Sequence, residues 1–378
     1  MKKLKHLFRL FLYLLTLMSF SCRFDENPFP DVPYPAEEKL TEYSGKIYNV
    51  FFHPLIIYPQ YAFDNDRYHN WLSDWFVTYN EAKNMIEDLY ENGFVLVTVE
   101  DLVDQVSDDD TGKTVFRRRK LKLPDDKKPL LLSIDDLNFY KNTIHNGTAF
   151  KLFIDDDGKL SEKVYNGSSI EIMRGRSFIT LIDEFVDKHP DFSFSGKKGL
   201  IALTGMDGIL GYRSNSSKKE VRAARKVADY LKNAGWYFAS HTYSHINIRK
   251  NDAAYIEIDD LKWKNEVSSI TGETGHFVFP LGSSPSENSR QFDYLLKSGY
   301  SFFWSVGVDQ EFRVEKNYIF MNRLAADGKC VTGKYGDVSG LFNIKKAVDP
   351  LRTVSNYGRN TVAVKEESHG AKESPSLN

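Results

Sequence analysis

Between about Tyr79 and Val306 the chain repeats one unit: polar and apolar positions at helical spacing, then a glycine, then a short apolar run. YNEAKNMIEDLYENG leads into FVLVTV, KKEVRAARKVADYLKNAG into WYFAS, LKWKNEVSSITGETG into HFVFPL, and SENSRQFDYLLKSG into YSFFWSV. Val221, Ala224, Val227 and Leu231 recur three or four positions apart, which places them on one helical face. Thr78 and Glu81 have the separation of a capping box ahead of the first helix. Gly93, Gly235 and Gly299 stand where helices stop in a left-handed residue. With YNVFFHPLII, LLLSID, GLIALTG and YIFMN added, about eight apolar runs alternate with helices. That alternation builds a parallel sheet with helices outside, and an irregular (β/α) barrel is its economical closed form. Chemistry in such barrels gathers at the C-terminal ends of the strands.

The 378 residues include 41% hydrophobic and 14% aromatic side chains, enough to bury a sizeable core. Lys+Arg 50 against Asp+Glu 52 leaves a net charge of -2 with no basic face in the string, which speaks against a nucleic-acid partner held by phosphate neutralisation. MKKLKHLFRLFLYLLTLMSFSC has a basic start, an apolar stretch from about Leu7 to Phe20 and then Ser-Phe-Ser before Cys22. This is the layout of an export signal over 1–22. The end of that stretch is similar to a bacterial lipobox, which implies a lipid anchor at Cys22 and a membrane-bound protein facing the cell envelope or exterior. A plain signal peptide or an uncleaved anchor is the alternative, since Ser19 stands where lipoboxes usually carry Leu. Cys330 is the other cysteine; it has no partner if Cys22 is acylated and could pair with it otherwise. Residues 23–44, rich in proline and charge, read as a tether. Residues 45–340 read as the barrel domain and 341–378 as a C-terminal extension, disordered in part.

LLLSID ends in two adjacent carboxylates, Asp135 and Asp136. Successive side chains on a strand face opposite ways, but where strand gives way to loop both can turn toward one site. Two unshielded charges there repel unless a cation lies between them. WYFASHTYSH supplies partners for that cation. His241 and His245, four apart after another apolar run, can face one metal if the chain coils beyond the strand. One Asp with two His leaves room for water, the pattern of a catalytic metal. Blander accounts exist for each pair. Asp runs sit in solvated turns, as Asp155, Asp156 and Asp157 before Gly158 read as a hairpin tip, and HxxxH pairs lie on many helix surfaces. Their joint placement at strand ends of one alternating chain is what favours a site.

The order of an Asp-Asp strand end, then SHTYSH, then the proline-glycine strand end FVFPLG resembles the polysaccharide deacetylase domain (NodB homology, carbohydrate esterase family 4). NVFFHPLI is similar to that family's opening strand, which ends near a His, and EAKNMIEDLYENGFVLVTVEDLVD to the helix and strand that follow in its exported branch. The resemblance runs from about Tyr48 to Val306. It implies a divalent metal, most often Zn2+, on Asp136, His241 and His245, with Asp135 as the base that takes a proton from water acidified by the metal. Attack on the acetyl carbonyl would then place an oxyanion on the metal and on a backbone N–H near Leu281. The implied activity is a metal-dependent hydrolase removing N-acetyl groups from an extracellular or cell-envelope polysaccharide, an N-acetylhexosamine polymer.

Several positions depart from the family pattern. Leu137 replaces the usual Gly and is expected to reshape the pocket mouth. Val278 stands where many members carry an Arg bonded to the base, leaving Asp135 without that partner. The family's late Leu-x-His has no counterpart, since the only histidine after Trp304 is His369 in the polar tail. Proton donation then falls to His53 or to water on the metal, or activity is weak or lost. Taken by itself, His53 before Pro54 reads first as a satisfied core histidine. Trp304, with Phe303, reads as a sugar-stacking floor or as barrel core. Asp207 and Arg213 line the cleft or hold their own loop by an ion pair. The segment from Asp104 to Lys128 reads as a solvated insertion, and His145, His189 and His276 carry no motif. A glycan-binding lipoprotein on the same fold is the alternative function, and another amide or ester hydrolase a third. Retention of both carboxylates and both histidines favours the N-deacetylase, because a lectin needs no water-activating base.

Overall fold

The computed structural model describes residues 39–108, 114–336 and 338–352. The expected export signal with Cys22, the tether up to residue 38, and His369 lie outside the described residues. Seven strands form the barrel: β1 Tyr48–Phe52, β2 Lys128–Asp135, β3 Gly199–Leu203, β4 Trp236–Ser240, β5 His276–Val278, β6 Phe302–Val306 and β7 Ile319–Ala325. Each pairs in parallel with the next in chain order, and β7 returns to β1, with Leu324 opposite Val50. The expected (β/α) barrel is therefore present. Seven runs close the ring rather than eight because one edge of the eight-residue β2 serves two partners in succession. Phe94–Leu96 takes its first half and β3 takes Ser133 to Asp135, so the FVLVTV run stays outside the ring.

Along β2, Leu130, Leu132 and Ile134 pack under the helices, while Leu131 joins the barrel interior with Leu200, Ala202, Ala239, Val278, Trp304 and Met321. Burying each large side chain contributes about 1.5–3 kcal/mol, so both faces of the sheet are strongly specified. Among the described residues five longer helices lie outside: α1 Tyr79–Glu91, α2 Phe178–Lys188, α3 Lys218–Asn233, α4 Ala253–Trp263 and α5 Arg290–Lys297. The capping box forms at α1: the Glu81 N–H donates to Thr78 Oγ1 at 3.2 Å, and the Thr78 N–H donates to Glu81 Oε2 at 2.8 Å. Helix α3 buries Ala224, Val227, Ala228 and Leu231. It is followed by Gly235 at φ +92°, where a Cβ would come within 2.2 Å of the Gly196 carbonyl oxygen.

The segments that flank the barrel on either side are both tied to it. Leu40–Glu42, at the end of the expected tether, pairs with Lys122–Pro124 and so belongs to the fold. The extension is also docked as far as residue 352. Its Arg352 is buried, and Nε and Nη2 reach Glu81 at 2.7 Å each while Nη1 and Nη2 donate to the Ser73 and Phe76 carbonyls. Asp155–Gly158 does form a hairpin tip, with Asp155 Oδ1 accepting the N–H groups of Asp157 and Lys159.

Candidate active site

β2 ends on Asp135, which faces the barrel interior and is 3% exposed. The next residue turns left-handed: Asp136 has φ +58° and donates its N–H to the Ala202 carbonyl at 3.1 Å. That one residue breaks the alternation of the strand, so both carboxylates reach the same mouth of the barrel. Asp tolerates this conformation better than most residues, yet it costs about 1–3 kcal/mol and persists only where the surroundings fix it.

The histidines arrive by the same device. His241 follows β4 and anchors its N–H on the Leu203 carbonyl at 3.0 Å. Thr242 and His245 are then left-handed, at φ +57° and +53°, which coils the chain back on itself. Asp259 on α4 holds that coil by accepting the N–H groups of Tyr243 and Ser244 at 2.5 and 3.0 Å. The His241 Nδ1 faces the Val278 carbonyl at 2.9 Å and so must donate, which leaves the Nε2 lone pair for a ligand. The two rings lie 4.9 Å apart, and one ligand atom each from Asp136, His241 and His245 falls within 4.8 Å of the others. One carboxylate and two imidazoles with further positions open suit a divalent transition metal, so the residues present fit the expected group.

Arg323, on β7, is the residue that the motifs did not reveal. Its Nη1 lies 2.7 Å from Asp135 Oδ1 and its Nη2 2.9 Å from Oδ2, a two-pronged pair buried at 0% and 3% exposure. Nη1 also donates to Ser133 Oγ at 3.1 Å, and the guanidinium stacks over Phe51 at 4.2 Å. The expectation that Val278 leaves the base without an arginine is thus corrected, because a different strand supplies one. Burial alone pushes the Asp135 carboxyl up, but the Arg323 charge and then His241 outweigh it and hold the group below the ordinary aspartate range. Burial pushes the His241 imidazole down, against the pull of Asp135 and Asp136, so the ring is neutral near pH 7 and its lone pair is available.

His53 directly follows β1 and packs between Phe51 and Phe76 at 5.6 and 5.4 Å. Its Nδ1 is buried without a hydrogen-bond partner among the described residues, so it is no satisfied core histidine. Leu281 sits in the turn just beyond β5 at φ +59°, with its side chain 62% exposed. Trp304 is not a sugar platform: it is 0% exposed inside the barrel and donates its Nε1–H to His276 Nδ1 at 3.2 Å, leaving no face for a ligand. Leu137 is likewise buried, packed in the core under the helices rather than at the pocket mouth. Arg213 holds its own loops through the Asp207 and Phe139 carbonyls rather than through an ion pair with the Asp207 carboxylate. Alternation offered a signal for Arg323, since in IFMNRLA it stands in step with the inward-facing Ile319 and Met321.

Sequence comparison finds no matching family model and no matching curated protein. Two solved structures align with most of the chain. The Streptococcus pyogenes deacetylase PplD, in complex with acetate, shares 10% identity at a TM-score of 0.41 over 76% of this chain and 94% of that one. A de-N-acetylase from Aggregatibacter actinomycetemcomitans shares 13% identity at a TM-score of 0.45 over 80% of this chain and 100% of that one. Likenesses this distant carry no residue role across, and the site stands on its own geometry.

Proposed function

We propose that the chain is a metal-dependent hydrolase that removes N-acetyl groups from an N-acetylhexosamine polymer of the cell envelope or exterior. The observation that carries this reading is the convergence of Asp136, His241 and His245 beside a buried, arginine-held Asp135 at the mouth of the barrel. A divalent ion bound there, Zn2+ in our reading, supplies Lewis acidity toward water and the amide carbonyl. Asp135, kept ionised by Arg323, accepts the proton of the attacking water. His53, with an unpaired ring nitrogen beside the site, delivers a proton to the leaving amine in place of the missing late histidine. The backbone N–H at Leu281 is our candidate for holding the oxyanion. Export, with a lipid anchor at Cys22, belongs to the same proposal and would keep the enzyme beside its polymer.

The test is metal content of the purified protein, with and without His241→Ala, alongside acetate release from N-acetylglucosamine oligomers. Near-stoichiometric metal that is lost in the variant, together with acetate release, supports the enzyme. Metal without acetate release rules out these oligomers as substrate and leaves another substrate or the glycan-binding alternative, and a metal-free wild type under non-chelating conditions sinks the metal site itself.

A further inference from the structure

A metal held by one atom from each of three residues uses a single oxygen of Asp136, and the other oxygen has a partner. The Tyr140 O–H donates to Asp136 Oδ1 at 2.8 Å, and the same phenol oxygen lies 2.7 Å from Thr204 Oγ1. A phenol carries one hydrogen. With that hydrogen on the carboxylate, Thr204 must donate its own to the phenol oxygen, which gives a directed chain from Thr204 through Tyr140 to Asp136. Thr204 is fixed in turn by Asn138, whose Oδ1 accepts the Thr204 N–H at 3.1 Å. The Asn138 amide donates to the Thr204 carbonyl at 2.7 Å and to the Gly208 carbonyl at 2.5 Å. Asn138 and Thr204 are both 0% exposed, so the platform under the phenol is rigid.

We propose that Tyr140 is the positioning residue of the metal site. It occupies Oδ1 and leaves Oδ2, which lies 3.8 Å from His245 Nε2, as the one oxygen that Asp136 offers. Without the phenol the carboxylate is free to turn about its last torsion, so its ligand oxygen is no longer held in place for the metal and the coordination can change. The inference rests on the metal site of the proposed function and is independent of the substrate.

The experiment measures dissociation constants for Zn2+ and Co2+ by competition with a chromophoric chelator, using the purified full chain as wild type, Tyr140→Phe and Thr204→Val. Tyr140→Phe should weaken binding by about 10- to 100-fold, and Thr204→Val should act in the same direction but less. The visible band of the Co2+ form should change in Tyr140→Phe, reporting a carboxylate free to rebind. Unchanged affinity with a wild-type Co2+ band overturns the role of Tyr140 and leaves the metal site standing. A wild-type protein that holds neither ion overturns both. Should Tyr140→Phe not fold, Thr204→Val decides by the same constants, because it keeps the phenol and removes only its support.

Discussion

At Asp135, burial and ion pairing act in opposite directions, and Arg323 decides the outcome. Arg323→Gln removes the countercharge and leaves a carboxylate buried at 3% exposure, so its pKa should rise. The acidic limb of the pH–rate profile for acetate release should then move to higher pH. Stability at pH 7 should fall by about 3–5 kcal/mol, the usual cost of breaking a buried pair from one side. In the wild type the folded carboxyl lies below its unfolded value. Its contribution to stability is therefore present above that unfolded value and is lost as pH falls through the folded one. An acidic limb that stays in place in Arg323→Gln would falsify the assignment of Asp135 as base.

Among elements, the start of α2 carries a second titration. Glu162, on the strand Leu160–Tyr165, accepts the N–H of Ser177 at 2.9 Å, the N–H of Arg176 and the hydroxyl of Thr180. Burial still pushes its carboxyl up to about 7 against those donors. The native state therefore keeps this proton longer than the unfolded chain does. Stability should fall as pH rises from the ordinary glutamate value of 4.5 toward about 7, and level off beyond. Glu162→Gln preserves an acceptor oxygen and should flatten that slope in urea unfolding at a series of pH values; a slope shared by both proteins assigns it to other groups. The end of α3 depends on a glycine for steric reasons. Gly235→Ala forces a Cβ against the Gly196 oxygen at φ +92° and should cost at least about 1–2 kcal/mol in thermal unfolding.

The molecule as a whole is closed by residues 341–352, whose contacts run back to the first half of the chain. Residues 341–352 lie across the start of α1, where Asp349 Oδ2 accepts from Thr78 Oγ1 at 3.0 Å and Arg352 meets the fully buried Glu81. Arg352→Ala leaves Glu81 without its countercharge and should destabilise the protein by about 3–5 kcal/mol in denaturant unfolding. A chain ending at residue 340 should lose at least as much. If that shortened chain melts with the wild type, the segment is an ornament on the barrel and not part of it.

The helix and strand periods, the capping box and the glycine stops were legible because each is a local pattern, set by residues within a turn or two of one another. The Asp135–Asp136 and His241–His245 pairs were legible for the same reason, each being compact in sequence and placed at a strand end. Ring closure with seven strands was not, since it turned on how β2 divides one edge between Phe94–Leu96 and β3. Nor was the inward turn of Trp304 toward His276, because an aromatic strand residue fits either face until the sheet closes. The partner of Asp135 shows the division most plainly. Sequence alone placed a carboxylate at the end of a buried strand, whereas Arg323 lies 188 positions away and meets it only across the finished barrel. Alternation turns Arg323 inward, but which carboxylate it meets there belongs to the packing of strands and not to the order of residues.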